Sequence, residues 1–189
     1  MKLYFNPKSR AVVTKWMLDE CGAPYELVQI DLASGQHKSP EFLAINPAGK
    51  LPALVDGDSK VFENAAIGLY LGERFPAANL APAPGHPDRG RYLSLMVYAT
   101  SQLEPAMGDV LLKQPTNPSR GWTDFETVKD VMERELDEGP YLFGQQFTLA
   151  DIMTGSMFLW ARVWGTSTGR PVLEAWLDRL AQRPRAMKL

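Results

Sequence analysis

A proline at the start of a short apolar run is the feature that most constrains how this chain folds. Pro52 lies in the segment 46–54, follows Leu51 and precedes the apolar run 53–55. Because proline has no backbone N–H, it cannot donate to a strand ladder, and X-Pro is the peptide bond at which the cis form costs least. A bend here leaves the N–H and C=O of Leu51 free for a peptide-like ligand. We therefore predict a binding site at residues 51 and 52.

The composition is globular and argues against several classes of function. The chain has 189 residues, of which 45% are hydrophobic and 22% charged, so disorder is not expected. A net charge of −2 argues against a nucleic-acid partner. No apolar run approaches the roughly 20 residues of a membrane span, and the N-terminus resembles a strand more than a signal peptide. Since Cys21 is the only cysteine, we expect no internal disulfide and no metal site, in a soluble cytoplasmic protein that does not bind membranes.

The first part of the chain alternates between strand and helix patterns. The predicted elements are a strand at 2–5, a helix over 11–21 ended by Gly22, a strand at 26–32, a helix capped by Ser39, a hairpin at Asp56-Gly57-Asp58 and a helix from Asn64. The order βαβαββα predicts a partly parallel sheet with an antiparallel edge.

A proline-rich stretch separates this part from a second one with helical patterns throughout. The predicted features are a long helix from about Asp88 that carries Leu95, Met96, Ala99 and Leu103, a break over 114–121, a helix that carries Phe125, Val128, Met132 and Leu136, and a helix through Trp160 that starts at a capping box of Thr148 and Asp151. We expect the capping box to be structural.

An α/β half of this order followed by an all-α half with this capping box resembles the glutathione S-transferase family. The resemblance extends from Leu3 to about Pro184 and is closest to bacterial-like cytosolic transferases of the serine type. It implies a thioredoxin-like domain over 1–78, a linker over 79–87 and a helical bundle over 88–189. It also implies a homodimer.

The segment 6–10, between the first strand and the first helix, is where the resemblance places the group that contacts the glutathione sulfur. Only a thiolate attacks electrophiles, and a hydroxyl donor at a helix N-terminus stabilises a thiolate. The resemblance assigns this catalytic role to Ser9. The alternatives are that Ser9 only caps the helix, or that Asn6 or Arg10 contacts the sulfur.

The resemblance assigns the γ-glutamyl end of glutathione to Glu63 and Asn64. Glu63 is expected to bind the amine and Asn64 the carboxylate. Asn64 departs from the serine that is usual in the family, although its amide and a helix N-terminus are both able to bind a carboxylate.

The opposite end of the tripeptide is assigned to cations. Lys50 and His37 are expected to bind the glycyl carboxylate, and Lys38 is a weaker alternative. The backbone of Leu51, next to Pro52, is expected to pair with the cysteinyl main chain.

The resemblance implies an enzyme that conjugates glutathione, as co-substrate, to small apolar electrophiles without a metal. Isomerase, dehalogenase and peroxidase activities share the same glutathione-binding half. The departure at Asn64 keeps a second interpretation open, in which the protein is a non-catalytic member that binds glutathione or another protein.

Overall fold

The computed structural model describes residues 1–115, 117 and 119–188. These residues form a four-stranded sheet with its helices, followed by a helical half. None of the helices in the described ranges is both long enough and apolar enough to cross a membrane.

The first half has the predicted order βαβαββα. Its elements are β1 (Lys2–Phe5), α1 (Ala11–Cys21), β2 (Glu26–Gln29), α2 (Pro40–Leu43), β3 (Ala53–Asp56), β4 (Ser59–Phe62) and α3 (Asn64–Arg74). The strands lie in the order β2-β1-β3-β4, with β1 parallel to β2 and β3 antiparallel to both β1 and β4. The predicted partly parallel sheet with an antiparallel hairpin is confirmed.

The predicted helix ends in this half are set by local interactions. Gly22 ends α1 with φ +64°, a left-handed conformation that costs glycine little, and its N–H bonds to carbonyls of the last turn. At α2, the Ser39 hydroxyl accepts a hydrogen bond from the Phe42 N–H at 3.3 Å. Both ends therefore follow from single residues that the sequence shows directly.

The predicted strand 26–32 is three residues too long, because β2 ends at Gln29. The carboxylate of Asp31 accepts hydrogen bonds from the N–H groups of Ala33, at 2.9 Å, and Ser34, at 3.3 Å. This local turn diverts the chain from the sheet although the apolar alternation continues.

The second half contains the three predicted helices and a further one, α8, that the sequence analysis missed. Its elements are α4 (Arg89–Tyr98), a π-helical turn (Ala99–Leu103), α5 (Glu104–Leu111), α6 (Phe125–Glu135), α7 (Leu149–Val163) and α8 (Pro171–Ala181). One continuous apolar core includes side chains from both halves. The domain boundaries and the linker over 79–87 stay a prediction.

The predicted long helix contains an irregularity at Pro105. A proline has no N–H to donate to the preceding turn, and the ladder widens into the π-helical turn Ala99–Leu103 just before it. Thr100 lies within this wider turn and Glu104 directly after it, and both of these residues line the pocket described below.

Helix α7 is the centre of the molecule. It packs against α1 and α3 of the first half and against α4 and α8 of the second. Every residue from Leu149 to Leu159 is buried. A helix that is apolar on all sides is stable only in such a core.

The capping box at the start of α7 is present, and its carboxylate is fully buried. Asp151 accepts hydrogen bonds from the Thr148 N–H at 2.9 Å, the Thr148 hydroxyl at 3.0 Å, the Leu142 N–H at 3.0 Å and the Trp176 indole N–H at 3.1 Å. Burial raises the pKa of Asp151 to about 6, because lost hydration outweighs these donors. Asp151 thus connects α7, α8 and the loop before α7.

We predict that Asp151→Asn destabilises the protein by about 1–3 kcal/mol, because the amide NH₂ faces N–H donors that lose their acceptor. Urea unfolding at about pH 7 measures the change in the free energy of unfolding. Asp137→Asn, at an exposed position, is the matched control and is expected to change it by less than about 0.5 kcal/mol. Equal effects of the two substitutions would contradict the buried role.

The difference in the free energy of unfolding between wild type and Asp151→Asn is also predicted to depend on pH. The folded-state pKa of Asp151 lies above its ordinary value of 3.8, so the folded protein retains a proton that the unfolded chain loses. The resulting stabilisation is complete below the unfolded pKa and is lost as the pH rises through about 6. The stability difference between wild type and Asp151→Asn should therefore decrease from about pH 4 to about pH 7.

Candidate functional site

A pocket of about 300 Å³ lies at the junction of the two halves. The first half lines it with Arg10, Asn46, Lys50, Leu51, Pro52, Glu63 and Asn64, and the second half with Thr100, Glu104 and Met153. The pocket thus joins three segments that the sequence analysis assigned to one ligand: the start of α1, the loop before β3 and the start of α3.

The Leu51-Pro52 peptide bond, which forms part of this pocket, is cis. The pairing of β3 with β1 begins at Ala53. Neither the N–H nor the C=O of Leu51 has a hydrogen-bond partner among the described residues. The backbone of Leu51 therefore offers one donor and one acceptor to a peptide, as the position of Pro52 predicts.

A buried hydrogen bond and a tightly packed glycine stabilise the conformation of the loop before β3. The amide of Asn46, a residue only 1% exposed, donates to the carbonyl of Lys50 at 2.8 Å. Gly49 has φ +60°, and a Cβ there would lie 2.7 Å from Lys38 Nζ and 2.9 Å from the carbonyl oxygen of His37. A side chain at this position would be strained and would clash with Lys38 and His37, so only glycine fits. The tight turn at Gly49 therefore determines the position of Lys50.

The predicted cations occupy different environments. Lys50 is exposed, lines the pocket and has no ion pair among the described residues. Lys38 donates to the Ala48 carbonyl at 3.1 Å, which ties its turn to the loop before β3. His37 lies in the short 3₁₀ turn Gln36–Lys38 outside the pocket lining, and its Nδ1 atom is buried without a partner in the described ranges.

Glu63 and Asn64 lie at the start of α3. Glu63 has φ +69°, a strained conformation for a residue other than glycine. Asn64 is buried: its Oδ1 accepts from the Thr14 hydroxyl at 2.7 Å, and its Nδ2 donates to the Arg10 carbonyl at 3.3 Å. The side chain of Asn64 thus connects α1 to α3, while the backbone N–H groups of the first turn of α3 stay available to an anion.

The candidates for the sulfur contact, Ser9 and Asn6, form one turn before α1. The Ser9 hydroxyl donates to the Asn6 carbonyl at 2.7 Å and accepts from the Ala11 N–H at 3.2 Å. The Asn6 amide donates to the Ile30 carbonyl at 2.8 Å, and its oxygen accepts from the Lys8 N–H at 2.9 Å. Both side chains therefore shape the loop, and neither is among the residues that line the pocket.

Arg10 lines the pocket and connects the two halves. Its Nη1 lies 2.5 Å from a Glu104 carboxylate oxygen, and its Nη2 contacts the Met157 sulfur. Its Nε is buried without a partner among the described residues. Burial lowers the pKa of Arg10, and Glu104 opposes that shift. An arginine stays charged despite such a shift, so a positive group is present in the pocket.

The charges around the pocket have both signs. Arg10 and Lys50 are cations, and Glu63 and Glu104 are carboxylates. Such a distribution is complementary to a small zwitterionic ligand that carries both an amine and carboxylates.

The pocket also contains residues that the sequence analysis missed: Asn46, Thr100, Glu104 and Met153. Asn46 belongs to the segment of Pro52, but nothing in its type indicates that it supports Lys50. For Thr100 and Glu104 the available signal was Pro105, since a proline inside a helical pattern marks an irregular turn.

No group of three or more His, Cys, Asp or Glu side chains in the described ranges is placed to hold a metal ion. Cys21 is buried and free, and burial raises the pKa of its thiol to about 12. A thiol in this state is a poor nucleophile.

The fold and the pocket define a class of protein: a thioredoxin-like half with a peptide-sized pocket that a helical half completes. Family models for the N-terminal and C-terminal domains of glutathione S-transferases match residues 1–73 and 119–179. Glutathione S-transferase 3 of Zea mays is 30% identical over an alignment of 204 positions, which covers 100% of this chain and 92% of the relative. Human glutathione S-transferase theta-2 is 34% identical over 174 aligned residues, which cover 84% of this chain and 71% of the relative.

Solved structures agree with the sequence relatives. A bacterial transferase, BphK, in a ternary complex, superposes with a TM-score of 0.81 at 29% identity, over 98% of this chain and 95% of that one. A sphingomonad glutathione S-transferase complexed with glutathione superposes with a TM-score of 0.78 at 32% identity, over 98% and 94% of the two chains. The chain belongs to the glutathione S-transferase family, and the resemblance inferred from its motifs is confirmed.

We predict that Thr14 and Asn64 are energetically coupled. Thr14→Val and Asn64→Ala each leave a polar partner unpaired inside the protein, and each should reduce the free energy of unfolding by about 1–3 kcal/mol. The double variant should lose less than the sum, by about 1 kcal/mol, in a double-mutant cycle measured by urea unfolding.

Thr100→Val is the control for this cycle, because within the described ranges the Thr100 hydroxyl bonds only to the Val97 carbonyl in the preceding turn. It should not couple to Asn64→Ala. Strict additivity of the Thr14 and Asn64 losses would show that their hydrogen bond does not link α1 to α3.

Proposed function

We propose that the protein binds glutathione in this pocket and conjugates its thiolate to small apolar electrophiles. The observation that carries the proposal is the meeting of Leu51, Glu63, Asn64 and Arg10 around one pocket. No contact in the described residues favours the alternative of a non-catalytic member. A cytoplasmic location is part of the proposal, supported by a lone, buried and unpaired cysteine.

The proposed orientation of glutathione follows from the chemistry of each wall. The N–H and C=O of Leu51 pair with the cysteinyl main chain. Glu63 binds the γ-glutamyl ammonium, and the first turn of α3 at Asn64 binds the γ-glutamyl carboxylate through its N–H groups. The glycyl carboxylate then lies beside Lys50, with His37 as a more distant cation. Each charged group of the tripeptide meets an opposite charge or an N–H donor.

The thiol in this orientation lies at the loop before α1. We assign the sulfur contact to Ser9, whose hydroxyl exchanges its bond to the Asn6 carbonyl for one to the thiolate. The Asn6 side chain already has partners for its amide and its oxygen. Arg10 supplies a positive charge to the same region. Each unit of thiol pKa lowering requires about 1.4 kcal/mol of preferential stabilisation of the thiolate.

The reaction needs only binding and proton loss. The thiol proton leaves to solvent, and the thiolate electron pair forms a bond to the electrophilic carbon while the bond from that carbon to its leaving group breaks and the leaving group departs with its electron pair. The proximity of the two bound reactants supplies much of the acceleration. Ser9 acts as a hydrogen-bond donor throughout and does not accept the proton.

We predict that Ser9→Ala raises the pKa of enzyme-bound glutathione by about 1–2 units, since a hydrogen bond to a charged group contributes about 1.5–3 kcal/mol. Ultraviolet absorbance of the thiolate as a function of pH measures this pKa. Ser34→Ala, at an exposed loop position, is the control and should leave it unchanged.

Arg10→Lys keeps a positive charge but removes the guanidinium Nε donor. This variant tests whether Arg10 rather than Ser9 makes the sulfur contact. A raised thiol pKa in Arg10→Lys alone would transfer the sulfur contact from Ser9 to Arg10. An unchanged pKa and rate in Ser9→Ala would remove Ser9 from the mechanism.

We also propose a homodimer. Helix α3 packs against both β4 and α4, and these two elements expose apolar side chains: Phe62 on β4, and Leu93 and Val97 on α4. An apolar surface that belongs to both halves suits an interface in which each half contacts the other half of a second copy.

We predict that Val97→Asp converts the dimer to a monomer, because it places a carboxylate in an apolar interface. Sedimentation equilibrium gives the mass. Val172→Asp is the matched control, since Val172 on α8 is as exposed as Val97, at 51% against 53%, and should leave the dimer intact. A monomeric wild type would contradict the proposal.

A further inference from the structure

A second pocket, of about 460 Å³, lies beside the segment that connects α3 to α4. It is lined by the end of α3, by this connecting segment, by the first residue of α4, and by Phe143 and Gln146 of the loop before α7. None of its lining residues lines the pocket assigned to glutathione. Its volume lies in the usual range of small-molecule sites. We call it the α3–α4 pocket.

The connecting segment is held in place by hydrogen bonds to the elements on both sides of the pocket. The Pro82 carbonyl accepts from Nη1 of Arg89 at 2.9 Å, and the Asn79 carbonyl accepts from Nε2 of Gln146 at 2.9 Å. The walls of the pocket therefore have their shape before a ligand arrives, and binding does not have to order them.

The apolar part of the wall consists of flat rings. Three prolines of the connecting segment, Pro76, Pro82 and Pro84, line the pocket together with Phe143. The guanidinium carbon of Arg91 lies 5.0 Å from the centroid of the Phe143 ring, a contact that restrains this ring. Proline and aromatic rings present flat surfaces, which pack well against a planar group. The wall therefore favours a planar ligand.

The charged groups of the pocket disfavour a ligand with a net charge. Nη2 of Arg89 pairs with a carboxylate oxygen of Glu73 at 2.7 Å. The Asp88 N–H donates to Nδ1 of His86 at 3.1 Å, which favours the neutral imidazole. An anion in the pocket would be repelled by the carboxylates of Glu73 and Asp88, and a cation by Arg89. A neutral ligand meets neither repulsion.

Two side-chain amides in the pocket have unused hydrogen-bonding capacity. Gln146 uses one N–H in its bond to the Asn79 carbonyl, and its Oε1 has no partner among the described residues. The Asn79 side chain has no hydrogen bond in the same ranges. A side-chain amide both donates and accepts, so the complementary group on a ligand is another amide.

We propose that the α3–α4 pocket is a separate binding site for a neutral, planar aryl amide. The ring of the ligand lies between the prolines and Phe143, and its amide pairs with the side chains of Asn79 and Gln146. Because the two pockets share no lining residue, this site is additional to the proposed conjugation and does not depend on glutathione.

Four probes of similar size separate the contributions of charge and shape. 2-Naphthamide is the neutral planar amide, 2-naphthoate is its anionic counterpart, and protonated 2-naphthylmethylamine is its cationic counterpart. Decahydronaphthalene-2-carboxamide keeps the amide but is not flat. Calorimetric titrations contain saturating S-hexylglutathione, so that glutathione and its hydrocarbon chain occupy the catalytic pocket and the space beside it. 2-Naphthamide should bind about tenfold more tightly than each of the other three probes.

Three variants locate the site. Ala83 lines the pocket and is exposed, so Ala83→Trp should fill the space without disturbing the fold and should weaken 2-naphthamide binding at least about tenfold. Ala77→Trp is the matched control, because Ala77 is an exposed residue of the same segment that does not line the pocket. It should change the affinity by less than about twofold. Asn79 has φ +53°, a conformation that glycine adopts readily, so Asn79→Gly removes only the amide and should weaken binding about three- to tenfold.

Two results would overturn the proposal. If the carboxylate, the amine or the saturated amide binds as tightly as 2-naphthamide, the pocket does not select a neutral planar ligand. If Ala83→Trp and Ala77→Trp bind 2-naphthamide equally well, the ligand lies elsewhere. Neither result bears on glutathione conjugation, which the variants at Ser9 and Arg10 test separately.

Discussion

The burial of α7 on every side from Leu149 to Leu159 is the constraint on which the rest of the structure depends. The N–H groups at the start of a helix buried in this way must find partners inside the protein. The Thr148 N–H donates to the Asp151 carboxylate and the Leu149 N–H to the Leu80 carbonyl. Asp151 also accepts from the Leu142 N–H and the Trp176 indole N–H, which connects this end of α7 to its neighbours. With its start fixed in this way, α7 packs against both α1 and α3, and the starts of these two helices line the pocket.

The site lies where the two halves meet, and each half supplies what the other lacks. The thioredoxin-like half offers the free backbone of Leu51 and the N-terminus of α3. The helical half offers Glu104, which pairs with Arg10, and the side chains of Thr100 and Met153, which also line the pocket. A charge such as Arg10 tolerates partial burial only with a partner, and Glu104 comes from the other half. The electrostatics of the pocket therefore depend on side chains from both halves.

The sequence predicted the order βαβαββα of the first half, the helix ends at Gly22 and Ser39, the capping box and the unpaired backbone of Leu51, because each depends on residues close together in the chain. It missed helix α8. It predicted a β2 that is too long, because the hydrogen bonds to the Asp31 carboxylate form a turn although the apolar alternation continues to Leu32. It also missed Glu104, whose partner Arg10 is 94 positions away. No local pattern pairs residues at such a separation.

The sequence by itself determined the family, the fold of the first half and the three segments of that half that line the pocket, because proline, glycine and cap residues act on their own backbone. Only the tertiary structure decided what each side chain does. It joined α1 to α3 through the Asn64 side chain, engaged the Asn6 side chain within its loop, and placed Arg10 in the pocket. The physical reason is that a polar group takes whichever partner the packing brings within hydrogen-bond distance, and packing is set by the whole chain.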